Sequence, residues 1–294
     1  MTRPPRLTVA VPVRNGERYL AAALESLLAQ TFSDFVLLIG DNASTDATEE
    51  IARRYLGRDP RVRYIRHEVD IGALGNFSDL ARRAKTELFR WHSADDLVRP
   101  EHTARCVAAL DAHPEAVLAY AATLNIDGEG RVTGEYEDRM HVTDASPADR
   151  FLRVKAQLVR CNAHYGVTRL DAVRRTHLMG HFIEADVCFL RELALYGAFI
   201  EVPERLFLRR YHGRASSAMT RTQRVRFALG GEGPAVRYLR HAVADARAIL
   251  RAPLPVDDRV RLTRWLLSRV VHDWKDVLNE IRILARYWLS REAR

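Results

Sequence analysis

Cysteine is scarce and poorly placed for a structural role. Cys106, Cys161 and Cys188 are odd in number and far apart, so neither a disulfide framework nor a zinc-ligand spacing is available. A reducing, cytoplasmic setting is the expectation. Long apolar runs are lacking too: none approaches the roughly 18 residues that a bilayer span needs. The start of the chain lacks the charged and apolar regions of a secretory signal, since Met1 to Arg6 leads directly into a strand-like segment. The expected protein is therefore soluble, or peripheral at the inner face of a membrane. Internal repeats and low-complexity tracts are absent as well.

What is abundant is apolar residues and positive charge. At 294 residues and 47% hydrophobic, the chain can bury a substantial core, which fits one large domain with an appendage. The net charge of +8 is uneven: residues 205–294 carry 20 Lys and Arg against 8 Asp and Glu, whereas residues 1–204 are net acidic. Glycine and proline at Gly230-Gly231-Glu232-Gly233-Pro234 and Ala252-Pro253-Leu254-Pro255 divide the basic part into helical pieces. A boundary is placed at Ser217, giving a domain over 1–217 and a basic helical extension over 218–294.

The first hundred residues repeat one pattern. Leu7-Thr8-Val9-Ala10-Val11 is a short, β-branched apolar run that stops at Pro12-Val13-Arg14-Asn15-Gly16, and a helix-period segment follows from Tyr19 to Leu28. Phe35 to Ile39 repeats the unit, ending at Gly40-Asp41-Asn42-Ala43-Ser44-Thr45-Asp46 before a helical Ala47 to Tyr55. Leu88 to Trp91 is a third such strand, ending in His92-Ser93-Ala94-Asp95-Asp96. Ligands in open α/β sheets collect at the carboxyl ends of strands, so Asn15, Asp41 and Asp95 are predicted to share one crevice. The Asp95-Asp96 pair offers hard oxygen ligands suited to Mg²⁺ or Mn²⁺. A turn followed by a helix cap would use the same residue types.

Five segments in order, Pro12 to Gly16, Gln30-Thr31-Phe32, Gly40 to Ser44, Gly72-Ala73-Leu74-Gly75-Asn76 and Ala94-Asp95-Asp96, resemble the family 2 glycosyltransferases of the GT-A fold. The resemblance implies an α/β, Rossmann-like domain with a central, mostly parallel mixed sheet flanked by helices. It also implies an inverting transfer from a nucleoside-diphosphate sugar, UDP favoured, to a hydroxyl acceptor such as a glycan, a lipid-linked sugar or a small molecule. Donor contacts fall on Pro12, Val13, Arg14, Asn15 and Glu17, on Asp41 as reader of the base, on Gly72 and Asn76 in a close-approaching loop, and on Ala94 and Asp96. In the family's Asp-x-Asp motif, Ser93 occupies the first acidic position and Asp95 the second, metal-binding one. The His212 of the Arg210-Tyr211-His212 segment corresponds to a histidine that in some members completes the metal shell.

A sugar hydroxyl is a poor nucleophile until its proton is removed, so a general base is required. Asp186, with Glu184 beside it, opens a helical segment at the position where the resemblance places that base; capping and the helix dipole favour acids there too. Phe199 to Pro203 and Leu206 to His212 are predicted as two strands. In the tail, Leu267, Val270, Val271, Trp274, Val277, Leu278, Ile281, Leu284 and Trp288 form an apolar stripe at helical period. That stripe suits contact with anionic lipid, or packing on the catalytic domain or a second subunit. No nucleic-acid module accompanies the charge, and nucleic acid is not an expected partner. Two other classes remain open: a catalytically silent nucleotide-sugar or membrane-binding protein, and a sugar-phosphate nucleotidyltransferase. The latter needs a Gly-rich, Arg-containing loop after the first strand, which Pro12 to Gly16 is not.

Overall fold

The computed structural model describes residues 3–213, 218–231, 234 and 236–292; the boundary expected at Ser217 lies outside them. The chain alternates strand and helix at first: β1 (Leu7–Val13), α1 (Leu20–Leu28), β2 (Phe35–Asp41), α2 (Thr48–Arg58), β3 (Val62–Arg66), α3 (Ala73–Arg83) and β4 (Leu88–Trp91). It continues through β5 (Leu97–Val98), α4 (His102–Ala112), β6 (Ala116–Ile126), β7 (Val132–Tyr136), α5 (Pro147–Gln157), β8 (Val167–Arg169) and α6 (Leu170–Arg175). Then come α7 (Ala185–Leu193), β9 (Ala198–Arg210) and the helices α8 (Arg221–Leu229), α9 (Tyr238–Arg251), α10 (Val256–His272) and α11 (Trp274–Glu292).

The strands form one mixed sheet in the order β3-β2-β1-β4-β8-β6-β9-β5, with β7 on β6. Parallel pairing holds β3, β2, β1 and β4 together, and the apolar runs of β1, β2 and β4 are buried in it. Beyond β4 the sheet mixes both senses: β8 is antiparallel to β4 and β6, and β9 is parallel to β6. Thus β1, β2 and β4 point their carboxyl ends the same way, and β9 delivers Arg209 and Arg210 beside them.

One prediction changes here. The two strands expected around Glu204-Arg205 are one thirteen-residue strand, β9. Its register against β6 shifts at Ala121 and Ala122, opposite the stretch that holds Pro203, so an irregularity absorbs a residue that cannot donate to the ladder.

The extension is anchored by a core of its own. Ala148 and Phe151 of α5 and Leu195 after α7 bury against Ala248 and Ile249 of α9, Leu254, and Leu262 of α10. Burying Phe151, Ile249 and Leu262 contributes about 2 kcal/mol each, enough to dock α9 and the start of α10. Beneath this core, Arg191 of α7, 1% exposed, holds Asp245 of α9 at 2.7 Å. Further along, Leu267, Val271, Trp274, Leu278 and Ile281 are exposed, so this part of the predicted stripe does not pack on the catalytic domain. No helix of the described residues is long and apolar enough to cross a membrane.

Removing one partner of a buried ion pair leaves an uncompensated charge. Asp245→Ala is expected to cost about 3–5 kcal/mol in urea denaturation; an unchanged midpoint and slope would show that the extension does not brace α7.

Candidate active site

The loops after β1 and β2 hold each other by side-chain bonds to backbone. Asn15, in a left-handed conformation (φ 51°), accepts from the Thr45 N–H at 2.8 Å, and its own N–H donates to the Ser44 hydroxyl at 3.0 Å. The Gly16 N–H donates to Thr48 Oγ1 at 2.8 Å. Asparagine tolerates this backbone region better than most residues, so the motif's Asn15 has a local structural reason. Pro12, Val13, Arg14 and Asn15 all line a large cavity of about 1460 Å³.

Three expected donor contacts are placed elsewhere. Asp41 is fully buried and does not line the cavity. Its carboxylate accepts from the Ser44 N–H at 2.8 Å, the Tyr64 hydroxyl at 2.7 Å and Arg66 Nη1 at 2.6 Å, so both oxygens are engaged. Glu17 faces the start of α2, where Oε2 accepts from the Ala47 N–H at 3.2 Å. Gly72 (φ 76°) approaches another backbone: a Cβ there would lie 2.5 Å from the carbonyl carbon of Leu229. Gly230 (φ 70°) faces it, so the glycines let the end of α8 settle on the loop before α3. Asn76 lines the cavity while its buried amide donates to the Gly40 carbonyl at 2.7 Å.

Two polar residues take the inner positions instead. Asn42 and Asp70 line the cavity, joined by Asn42 Nδ2 to Asp70 Oδ1 at 2.6 Å, and Arg14 reaches Asp70 at 3.1 Å. Asp70 carried no sequence signal, being one of two acids, with Glu68, in the loop after β3.

At the end of β4 the two adjacent carboxylates separate. Asp96 is fully buried: Oδ1 accepts from the Arg210 N–H at 2.7 Å and Oδ2 from Arg209 Nη1 at 3.0 Å. Burial pushes its carboxyl up to about 7, with the Arg209 charge opposing. It is thus a brace between β4 and β9 and does not line the cavity, contrary to its expected place at the donor. Asp95 lines the cavity beside Ser93 and Ala94. Its Oδ2 lies 2.9 Å from His212 Nε2, and the Ser93 hydroxyl donates to Oδ1. Burial works against its charge, but the His212 hydrogen bond, the Arg209 charge and Ser93 prevail and hold the carboxyl down at about 2.

Residues without a motif support this corner. His92 is held neutral by burial, its pKa down at about 3. In that form Nε2–H donates to the Asp96 carbonyl at 3.2 Å and Nδ1 accepts from Arg90 at 3.2 Å. Arg210 Nε donates to the Asp95 carbonyl at 2.7 Å, and its guanidinium lies 4.7 Å from the centre of the Tyr19 ring. Tyr19 also meets the His212 ring at 4.7 Å.

The Asp95–His212 pair fits a divalent cation in part. One carboxylate and one imidazole suit Mn²⁺, and they leave coordination positions for phosphate oxygens and water. Among the described residues no third His, Cys, Asp or Glu joins them, so the protein alone does not form a closed cage.

Asp186 and Glu184 line the same cavity. Asp186, half-buried in the first turn of α7, accepts from the Val187 N–H at 3.0 Å and lies beside the Cys161 thiol. Burial pushes that thiol well up and holds the nearby His164 down at about 4, so both neighbours are neutral. Glu184, left-handed at φ 65°, pairs with Arg237 at 2.8 Å and so ties α7 to α9. The cavity exceeds the usual range of roughly 300–1,000 Å³ for one small-molecule site, which leaves room for two substrates. Gln223, Phe227 and Ala228 of α8 line it too.

Comparison with known proteins agrees with this architecture. Residues 8–176 match the family model described as glycosyl transferase family 2. The chain is 28% identical over 133 residues to chondroitin synthase of Escherichia coli, covering 45% of this chain and 19% of that protein. It spans less than half the length of the curated relatives it matches. In fold it is similar to S. aureus TarS 1-349 in complex with UDP-GlcNAc, with a TM-score of 0.64, 17% identity, and coverage of 90% of this chain and 72% of that one. It is also similar to the mannosyltransferase PcManGT from Pyrobaculum calidifontis in complex with GDP-Man and Mn2+, with a TM-score of 0.57, 17% identity, and coverage of 97% and 75%. With more than half of the chain matched and the sheet ordered as described, this protein belongs to glycosyl transferase family 2.

Proposed function

We propose that this glycosyltransferase is inverting and metal-assisted, moving a sugar from a nucleoside-diphosphate sugar, UDP favoured, to a hydroxyl acceptor with Asp186 as general base. One observation carries the reading: Asp95, His212 and Asp186 all line the same cavity. The neighbours bound to UDP-GlcNAc and to GDP-Man with Mn2+ support a nucleotide-sugar donor and a divalent ion.

In this scheme the nucleotide lies against Pro12, Val13 and Asn42, and its diphosphate reaches toward Asp95, His212 and Arg209. Asp41 acts as a positioning residue, fixing Ser44 and Arg66 behind the base site. Asp95 and His212 would hold the cation, which supplies Lewis-acid neutralisation of the leaving diphosphate. Asp95 is suited to that role because its depressed pKa keeps it ionised at neutral pH. The acceptor oxygen attacks the anomeric carbon as the bond to the diphosphate oxygen breaks; the proton passes to Asp186, and the nucleoside diphosphate leaves with the bonding pair. His164 and Cys161, neutral beside Asp186, add no charge to the path.

The exposed stripe on α10 and α11 supports contact with an anionic bilayer. Three acids on these helices, Asp273, Asp276 and Glu280, oppose it, but Glu280 is buried and accepts from the Arg237, Tyr238 and Leu239 N–H groups at the start of α9. Asp273 pairs with Arg269 at 2.9 Å. That leaves Asp276 as the one exposed acid of the three, beside Trp274 and Leu278 and offset by exposed Lys275 and Arg282, whose positive charges suit lipid headgroups. The side chain of Trp288 lies outside the described residues.

Asp186→Asn is expected to keep donor affinity while lowering turnover by about 10²–10⁴-fold, read in a sugar-transfer assay beside a nucleotide titration; near wild-type transfer would eliminate Asp186 as the base. The full chain is expected to float with anionic liposomes, and the double variant Trp274→Glu with Leu278→Glu to lose that flotation. Flotation unchanged by the substitutions, or a concentration-dependent dimer lost in their place, would assign the stripe to protein contact.

A further inference from the structure

A second, smaller pocket of about 150 Å³ adjoins the cavity, between α5, α7, α9 and α10. Lys155, Arg191, Arg237 and His241 line both spaces, so the two adjoin, and Arg269 lines the small one only. Three guanidiniums there are already matched: Arg191 by Asp245 at 2.7 Å, Arg237 by Glu184 at 2.8 Å and Arg269 by Asp273 at 2.9 Å. Lys155 is half-buried among them and meets no carboxylate within ion-pair distance among the described residues. The pocket therefore carries one unmatched positive charge, together with guanidinium N–H groups that one carboxylate each does not exhaust.

Its second irregularity is independent of charge. His241 Nε2 is buried without a hydrogen bond; its nearest acid oxygen, Glu184 Oε2, is 3.5 Å away. A buried ring nitrogen without a partner is destabilising, and a ligand oxygen in the pocket would satisfy it. Burial, with the charges of Arg191 and Arg269 adding to it, lowers the Lys155 pKa, a strain that an anion would relieve.

We propose that Lys155, Arg237, Arg269 and His241 form a subsite for a phosphoryl group on the acceptor. This rests on the reading of the cavity as a transferase site and names the acceptor class: a hydroxyl compound bearing a phosphodiester or diphosphate. The geometry separates this group from the donor's own phosphates. Those belong to the β4 and β9 end with Asp95 and His212, whereas the subsite is built by α5 and α7 with the extension. Arg237, through Glu184, is also tied to the turn that carries Asp186, so an anion gripped here fixes the acceptor relative to the base. An ammonium and planar guanidinium forks match tetrahedral oxygens well. The basic extension thereby gains a role in acceptor choice.

The test titrates the full chain with inorganic phosphate in the absence of nucleotide and metal, so its outcome is independent of whether the donor reading holds. One phosphate is expected to bind per chain, Lys155→Gln to weaken it about tenfold, and Lys155→Arg to retain it, while UDP affinity stays unchanged in both. Competition of the bound phosphate by a short-chain prenyl diphosphate, against glycerophosphoglycerol, then identifies the source as lipid-linked or soluble. Absence of phosphate binding, unchanged affinity in Lys155→Gln, an equal loss of UDP affinity, or failure of both competitors would overturn the proposal.

Discussion

The site depends on a buried carboxylate that does not line the cavity. Asp96, fully enclosed, joins the end of β4 to the end of β9 through the Arg210 N–H and the Arg209 guanidinium. That bond sets the register in which Asp95 meets His212 at 2.9 Å, although the two are far apart in sequence. A buried charge with an excellent partner geometry adds little net stability, whereas losing one partner costs several kcal/mol. The consequence is positional: the turn before β5, a strand that pairs β9, is fixed to the end of β9, and the meeting of Asp95 with His212 is a product of it.

How much of this was legible follows from how local each feature is. The strand ends at Pro12 and Asp95 could be read because an apolar β-branched run followed by a polar loop is a contiguous signal. Asp41 was recognisable as a strand-end acid, but its inward turn was not, since its partners Tyr64 and Arg66 belong to the neighbouring strand β3. Glu17 and Gly72 likewise look like donor-loop residues in sequence, yet one serves the start of α2 and the other the backbone around Gly230. Asp95 and Asp96 are adjacent and chemically identical, so only the turn between β4 and β5 and the approach of β9 decide which faces the cavity.

The extension shows the same limit. Its helices and its charge were plain from composition and period, but the small core of Phe151, Ile249 and Leu262 and the Arg191–Asp245 pair depend on contacts across the chain. They make the tail part of the cavity wall. Lys155 had no motif at all; its interest comes from the guanidiniums that α7, α9 and α10 bring around it.

The central claim is that a divalent ion held by Asp95 and His212 bridges this chain to a nucleoside diphosphate. Calorimetric titration of UDP and GDP with and without Mn²⁺, into the wild-type chain and Asp95→Ala, tests it most directly. The account predicts binding that requires Mn²⁺ in the wild type and is lost in the variant. Equal Mn²⁺-dependent affinity in both proteins would contradict it.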